Sequence, residues 1–251
     1  MLPGCGGSSS TPLSENSTQH YYAASLGDRE PLATGITCAD ETRGTAAGTP
    51  SYAAVVRTTA VAYSAPGGGR ELDHFGHIDE NGYPTVFGVV GVRMNASCDP
   101  TWYRVQLPVK PNGSTGWIAA DAVRAYPVSE RIVVTLSSKR LVVFRSGKPV
   151  FRARVAIGTP QTPTPVGKYF VNERFLLSES NGPFGVAALG ISAHSDVLTN
   201  WVEGGPIALH GTDEPLTVGS AASHGCIRLA NSDMRQLFAL APAGTPVDIR
   251  R

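Results

Sequence analysis

The sequence has few charges, no long apolar run and little sulfur. Charged residues make up only 16% of the 251 residues, the formal net charge is +1, and no basic stripe is present. Such a stripe is what phosphate backbones require, so nucleic acid is not an expected partner. No run of eighteen apolar residues occurs, so no membrane-crossing helix is expected. There are only four cysteines, and a thiol inside a distinctive motif therefore needs an explanation.

Glycine, proline and apolar residues are plentiful. The chain has 28 Gly and 19 Pro, and 41% of its residues are hydrophobic. This balance is typical of a globular protein rich in turns and strands, so we expect a mainly β fold. The length allows one large domain or two small ones, each with a core of its own.

Residues 1–50 are rich in Gly, Ser, Thr and Pro and are predicted to form a tether or extension. The opening MLPGC resembles the end of a bacterial lipoprotein signal, which is cut before a cysteine that then carries lipid. By that resemblance Met1 starts a trimmed signal, and Cys5 is the expected N-terminus and the site of a membrane anchor. The alternative is a chance cysteine in a flexible tail.

Residues 51–128 show short β-type runs separated by turns. In TWYRVQL, Tyr103, Val105 and Leu107 alternate with polar residues, which predicts a strand with one buried face. NGSTGWIAA predicts a hairpin turn and a return strand, and Trp102 and Trp117 are predicted in the core. The pattern resembles a bacterial SH3-like small barrel, a module that holds proteins near the cell wall or packs on a catalytic domain.

Residues 129–251 are predicted to form a second domain. RIVVTLSSKRLVVFRSGKPVFRARVAIG contains three apolar runs, an antiparallel meander in which the third run presents Phe151, Ala153, Val155 and Ile157 on one face. One helix is predicted near the end, capped by Ser232 and stopped by a proline. Its apolar face comprises Met234, Leu237, Phe238 and Ala241. GTPVDI is predicted as a final strand.

The motif SHGCIRLAN contains the thiol that needs explaining. A cysteine acts as a nucleophile only as thiolate, so Cys226 needs a base or a cation nearby. His224 lies two residues away, which on a strand is the same face, and His210 lies sixteen residues upstream, a distance that a strand-loop-strand return can close. Gly225 leaves room for backbone N–H groups to face a developing oxyanion. These features indicate acyl transfer through a thioester.

The stretch HGTDEPLTVGSAASHGCIRLANSD resembles the signature of YkuD-type L,D-transpeptidases. TPTPVGKYFV and DMRQLFALAPAGTPVDI resemble further parts of that family's catalytic domain, so the likeness covers about 120 residues. It implies a β-sandwich-like catalytic domain with one C-terminal helix and no cofactor. The implied substrates are peptidoglycan stem peptides in the cell envelope, which the enzyme joins by 3→3 cross-links. Carbapenem-type inhibitors are implied to acylate it.

The resemblance also implies roles for individual residues. Cys226 is the nucleophile, His210 is the general base, and the carbonyl of Gly211 orients the imidazole. Ser223, His224 and Gly225 are implied to shape the pocket, and the backbone amides near Gly225 and Cys226 are implied to form the oxyanion hole. Arg228 is expected to hold a substrate carboxylate.

Several alternatives remain open from the residues alone. The same site in an L,D-carboxypeptidase would use water as acceptor, and a non-catalytic wall-binding lipoprotein would leave the thiol unused. Zinc on His210, His224 and Cys226 is a third reading, whereas a metal at His74 and His77 lacks a third ligand at a helpful spacing. His194 is expected in a loop. Cys38 and Cys98 are a possible disulfide in an oxidising compartment.

Overall fold

The computed structural model describes residue 36 and residues 51–177, 181–198, 200 and 205–251. These residues contain seventeen strands and one α-helix, which confirms the predicted mainly β class with a helix near the end. The helix has ten residues, and no described helix is long and apolar enough to cross a membrane. The elements are β1 (Ser51–Val56), β2 (Thr59–Tyr63), β3 (Glu71–Gly76), β4 (Val86–Met94), β5 (Pro100–Gln106), β6 (Thr115–Ala119), β7 (Val123–Val128), β8 (Glu130–Thr135), β9 (Arg140–Arg145), β10 (Lys148–Arg154), β11 (Ile157–Gly158), β12 (Gly167–Leu176), β13 (Ala187–His194), β14 (Pro206–His210), β15 (Ala221–Ser223), β16 (Ile227–Arg228), α1 (Asn231–Leu240) and β17 (Pro246–Arg250).

Strands β1 to β7 form one antiparallel sheet in the order β3-β2-β6-β5-β4-β1-β7. As predicted, β5 and β6 form a hairpin, and Tyr103, Val105 and Leu107 are buried. The prediction for the tryptophans was wrong: Trp102 and Trp117 are only half-buried, because they lie on the opposite face of the hairpin. Ile36 packs into the core of this sheet, and the rest of the predicted tether lies outside the described residues. The SH3-like assignment stays a prediction.

An eight-stranded sheet in the order β10-β9-β8-β17-β12-β13-β14-β16 builds the second half of the chain. The predicted meander is present as antiparallel β8, β9 and β10, and Ala153 and Val155 point into its core. The final strand β17 lies between β8 and β12, parallel to β8 and antiparallel to β12. Its insertion makes the sheet continuous, so the meander and the site-bearing strands share one core.

Helix α1 packs on this core through Met234 and Leu237, as the sequence predicts. The predicted cap was wrong. Ala230 occupies the N-cap position without a side-chain hydrogen bond, and Ser232 lies exposed in the first turn. The N-cap and the first helical residue, Asn231, thus each lie two positions before those that the cap prediction gives, and the side chain of Asn231 accepts hydrogen bonds from Thr212 and Val186.

The two sheets contact one another beside the end of β13. A small apolar cluster joins them, in which the rings of Tyr83 and Phe175 meet edge to face with centroids 4.8 Å apart. Asn112 of the first sheet's β5–β6 loop forms two hydrogen bonds with the backbone of His194, at 2.7 and 2.8 Å. The first sheet is therefore fixed against the sheet that includes β14 and β16.

Candidate active site

Cys226 directly precedes β16, which pairs in parallel with β14. The register places Ile227 opposite Leu209, so Cys226 comes level with Ala208 on one face of the pair. The Cys226 side chain is fully buried against Ala208, with Phe184 packed beside them. The backbone N–H of Ala208 lies 3.4 Å from Sγ. The fold therefore places the sulfur at the sheet edge beside the end of β14.

Cys98 and Cys226 are disulfide-bonded, and the described residues include no free cysteine. Cys5 and Cys38 lie outside the described residues, so lipidation of Cys5 and the Cys38–Cys98 pair stay predictions. A disulfide sulfur is not a nucleophile. Cys226 must therefore be reduced before it can attack a carbonyl.

His210 ends β14 and is 1% exposed. It pairs with Arg228 in the parallel register, so its imidazole lies on the same face of the sheet as Cys226. Phe184 covers the ring, with centroids 5.0 Å apart. The fifteen residues between His210 and Cys226 thus leave the sheet and return to the neighbouring strand, which is the arrangement that the spacing predicts.

The protonation state of His210 follows from its surroundings. Burial lowers the pKa of His210 to about 4, opposed by its hydrogen bond to Gly211 and aided by the charge of Arg228. At neutral pH the ring is therefore uncharged. Nδ1 lies 2.5 Å from the carbonyl oxygen of Gly211, which can only accept, so Nδ1 holds the proton and Nε2 is the basic nitrogen. Nε2 is buried and has no hydrogen-bond partner among the described residues.

The turn from Ser223 to Cys226 is stabilised by hydrogen bonds of the Ser223 side chain. The hydroxyl of Ser223 donates to the carbonyl of Cys226 and accepts the N–H of Gly225 at 3.2 Å. Gly225 has φ +123°, where an L side chain is strained, and a Cβ there would lie 2.9 Å from Cδ1 of Ile207. Both residues thus shape the backbone next to the sulfur.

His224 lies on this turn and is exposed. The turn separates β15 from β16, so His224 and Cys226 do not share a strand. The interpretation that they share a strand face was wrong, because the positive φ of Gly225 breaks the alternation. Of the two histidines, His210 has the buried position and the basic nitrogen that proton transfer requires.

Arg228 is 8% exposed, and its Nη1 donates to Oε2 of Glu214 at 2.8 Å. Glu214 belongs to the exposed connection that leads from β14 to β15, and its side chain is 61% exposed. The Nε of Arg228 is buried without a partner among the described residues. The guanidinium therefore lies beside His210 with one of its donors unused.

Comparisons with known proteins show the family to which the chain belongs. Residues 129–249 match the family model described as YkuD, the L,D-transpeptidase catalytic domain. The chain is 30% identical over 126 residues to the putative L,D-transpeptidase YkuD of Bacillus subtilis (strain 168), covering 50% of this chain and 69% of that protein. The chain belongs to the YkuD family of L,D-transpeptidases.

Other L,D-transpeptidases show how much of the chain the likeness covers. A Bacillus licheniformis protein, also a putative L,D-transpeptidase YkuD, is 32% identical over 119 residues, which is 47% of this chain and 64% of that protein. The solved L,D-transpeptidase 3 from Mycobacterium tuberculosis, in complex with a faropenem-derived adduct, is 14% identical with a TM-score of 0.43, covering 78% of this chain and 97% of that one. The matches to the family model and to the Bacillus relatives leave the first half of the chain largely uncovered.

Two threonines in the YkuD domain contact the turn that contains Ser223 and Gly225, although the sequence analysis did not single them out. Thr162 donates from Oγ1 to the carbonyl of Ser223 at 3.2 Å, and Thr164 donates to the carbonyl of Gly225 at 2.8 Å. Both lie in TPTP, residues 162–165, which the sequence analysis names only as part of a stretch that resembles the family's catalytic domain. The loop therefore provides a rigid support for the turn.

Asn231 is a third residue that the sequence analysis missed, although it ends the SHGCIRLAN motif. Its Oδ1 accepts the N–H of Thr212 at 3.1 Å and that of Val186 at 3.3 Å. A Cβ at Gly211 would lie only 2.2 Å from this oxygen. Asn231 thus packs against the backbone of Gly211, the residue whose carbonyl holds the ring of His210.

Among the residues that the structure describes, the remaining histidines do not join the site. The loop prediction for His194 was wrong: it lies half-buried at the end of β13, where burial and the charge of Lys110 lower its pKa. His74 is exposed and contacts Glu71 at 3.2 Å. Among the described residues, no three His, Cys, Asp or Glu side chains are grouped so as to hold a metal ion. The zinc reading of His210, His224 and Cys226 was therefore wrong, because these three side chains are not grouped around a common point.

Proposed function

We propose that this chain is a peptidoglycan L,D-transpeptidase that works through a thioester on Cys226. One observation carries the proposal: the neutral His210 has its proton on Nδ1, held by Gly211, and a basic Nε2 on the face that carries the sulfur. A basic nitrogen with an unpaired lone pair in a buried site is the group that a thiol needs for deprotonation. The role of Gly211 is to fix that tautomer.

In the first half-reaction, reduced Cys226 gives its proton to Nε2 of His210 as sulfur bonds to the carbonyl carbon of the third stem residue. The carbonyl oxygen becomes an oxyanion, and backbone N–H groups near Gly225 and Cys226 receive its charge. The C–N bond to the terminal D-Ala then breaks. The leaving amine takes the proton from His210, and a thioester remains on the enzyme.

In the second half-reaction, the side-chain amine of another stem peptide attacks the thioester. His210 accepts a proton from this amine and returns one to the leaving sulfur, which gives a 3→3 cross-link and the free thiol. With water as the acceptor, the same steps give an L,D-carboxypeptidase. Membership of the L,D-transpeptidase family favours the amine over water as the acceptor, and no acceptor site is part of this argument.

Arg228 is proposed to bind a carboxylate of the donor stem. Its guanidinium is buried and beside His210, and its Nε is a donor without a partner among the described residues. Buried polar groups of this kind are stabilised by a ligand that completes their hydrogen bonds. Glu214 is the group that a substrate carboxylate would displace from Nη1.

We also propose an extracytoplasmic location, since the substrate is cell-wall peptidoglycan. A lipid on Cys5 would tether the chain to a membrane, and the residues 51–128 would hold the catalytic domain near the wall as an SH3-like module. Mass spectrometry of the N-terminus of the protein expressed from its natural gene tests the anchor, because an unmodified N-terminus contradicts it.

Purified muropeptides test the reaction itself. The reduced enzyme is incubated with disaccharide-tetrapeptide, and the products are separated and sequenced by mass spectrometry. The proposal expects free D-Ala and dimers linked 3→3. Trimmed monomers without dimers would show a carboxypeptidase, and no release of D-Ala would contradict the proposed function. Cys226→Ser is the control that separates the enzyme's products from contaminating activity.

A further inference from the structure

The hydroxyl of Thr164 bridges two backbone groups across the site. Thr164 is 4% exposed, and its Oγ1 accepts the N–H of Gly158 at 2.9 Å while donating to the carbonyl of Gly225 at 2.8 Å. Both hydrogen bonds are buried. Because the hydroxyl oxygen accepts the N–H of Gly158, the hydroxyl proton is donated to the Gly225 carbonyl, which can only accept.

The carbonyl of Gly225 and the N–H of Cys226 belong to one peptide group. In a planar trans peptide these two groups point in opposite directions. Holding the Gly225 carbonyl towards Thr164 therefore fixes the Cys226 N–H so that it points away from the loop. This N–H is a donor that the proposed mechanism assigns to the oxyanion.

The backbone at this point depends on such a restraint. Gly225 lies at φ +123°, and glycine populates many backbone conformations with little preference. A side chain cannot restrain the peptide, because a Cβ would lie 2.9 Å from Ile207. Hydrogen bonds must therefore define its orientation, and Thr164 supplies the one to the carbonyl.

We propose that Thr164 is a positioning residue for acyl transfer, which orients the Gly225–Cys226 peptide so that its N–H faces the oxyanion. The inference rests on the proposed function. Thr164 does not contact the sulfur or the substrate in this role. It lowers the barrier by keeping a donor aligned before the charge develops, which is where such donors act most strongly.

Thr162 provides the matched comparison in the same loop. It donates to the carbonyl of Ser223 at 3.2 Å, but that carbonyl also accepts the N–H of Thr159 at 3.0 Å. Without the Thr162 hydroxyl, the Ser223 carbonyl thus still accepts a hydrogen bond from Thr159. Loss of the Thr164 hydroxyl removes the contact that restrains the Gly225 carbonyl.

The test compares two reactions of the same thiol. Carbapenem acylation forms an oxyanion, whereas alkylation by iodoacetamide does not, so only the first depends on an aligned N–H donor. Rates of both are measured by intact mass on the reduced full chain, for the wild type, Thr164→Val, Thr164→Ser and Thr162→Val. Melting temperatures are recorded for all four, and Thr164→Ala replaces the valine variant if the latter does not fold.

We expect Thr164→Val to slow acylation by about tenfold to a hundredfold, with alkylation within about twofold of the wild type. Thr164→Ser keeps the hydroxyl and should restore acylation to within about threefold, and Thr162→Val should lose no more than that. Unchanged acylation in Thr164→Val, or equal loss of acylation and alkylation, overturns the inference alone. A wild type that is alkylated but never acylated overturns the proposed function, and this inference with it.

Discussion

Nη1 of Arg228 donates to Oε2 of Glu214 at 2.8 Å, joining a nearly buried guanidinium to a carboxylate whose side chain is 61% exposed. Exposed ion pairs contribute only about 0–1 kcal/mol, so a substrate carboxylate can replace Glu214 at little cost. Glu214→Gln should therefore lower KM for the donor stem about twofold to fivefold. Arg228→Gln should raise KM more than about tenfold, and steady-state release of D-Ala measures both.

The pair of Arg145 and Glu130 is a control for this prediction. Its Nε to Oε1 distance is also 2.8 Å, but it joins β8 and β9 at the other end of the sheet. Glu130→Gln should leave KM unchanged. An increase in KM for Glu214→Gln would show that Glu214 supports substrate binding and does not compete with it.

The pKa of His210 predicts a pH dependence of stability. Burial lowers the pKa to about 4 in the folded state, against 6.5 for an unperturbed histidine. The unfolded chain therefore binds more protons between these values, and the free energy of unfolding falls as pH drops from about 6.5 to about 4. A full shift corresponds to about 3 kcal/mol at most. Urea unfolding at several pH values measures the slope.

His210→Asn removes the titrating group and keeps a donor for the Gly211 carbonyl. Its stability should change less between pH 6.5 and pH 4 than that of the wild type. His194 has a pKa that is also lowered, so part of the slope remains in the variant. Equal slopes in both proteins would contradict the buried, neutral state of His210.

The recorded disulfide at Cys226 predicts that activity requires reduction. Without a reductant, the sulfur has no thiolate and neither carbapenem nor iodoacetamide should label it. After treatment with a phosphine reductant, both reagents should label Cys226, which peptide mapping identifies. Labelling of Cys226 to the same extent in oxidised protein would show that this disulfide does not block the thiol.

Gly211→Ala tests the support of the base. The new Cβ would lie 2.2 Å from Oδ1 of Asn231, so the backbone at Gly211 has to shift and take its carbonyl with it. Acylation should fall at least about tenfold, because the tautomer and direction of His210 depend on that carbonyl. Gly91→Ala, on β4 of the other sheet, is the control and should acylate at the wild-type rate. A normal rate in Gly211→Ala would contradict the orienting role.

The parts of the site that could be predicted from the sequence have one property in common. Each is indicated by residues that lie close together in the chain, through motif spacing or periodicity. Cys226 and His210 stand in a motif whose spacing requires a return to a neighbouring strand, and β14 and β16 make that return. The meander and the buried face of α1 follow from periodicity in the same way.

The parts that sequence could not predict depend on contacts between distant residues. Thr164 reaches Gly225 across 61 positions and Asn231 reaches Val186 across 45, and neither partner changes the local pattern. The wrong interpretation of His224 has a different cause: the positive φ of the neighbouring Gly225 ends the strand alternation, and the sequence alone does not give that φ. Threonine and asparagine are common in loops and turns, so the sequence does not distinguish Thr164 and Asn231 from other such residues. Their hydrogen-bond partners are brought close only by the fold.

The central claim is that reduced Cys226 is the nucleophile and His210 its base. Intact mass after incubation with a carbapenem tests it most directly, on the reduced wild type and on Cys226→Ser, His210→Ala and His224→Ala. The account predicts one adduct on the wild type, none on Cys226→Ser, acylation slowed by about a hundredfold or more in His210→Ala, and near-normal acylation in His224→Ala. An adduct that persists in Cys226→Ser, or a loss in His224→Ala as large as that in His210→Ala, would contradict it.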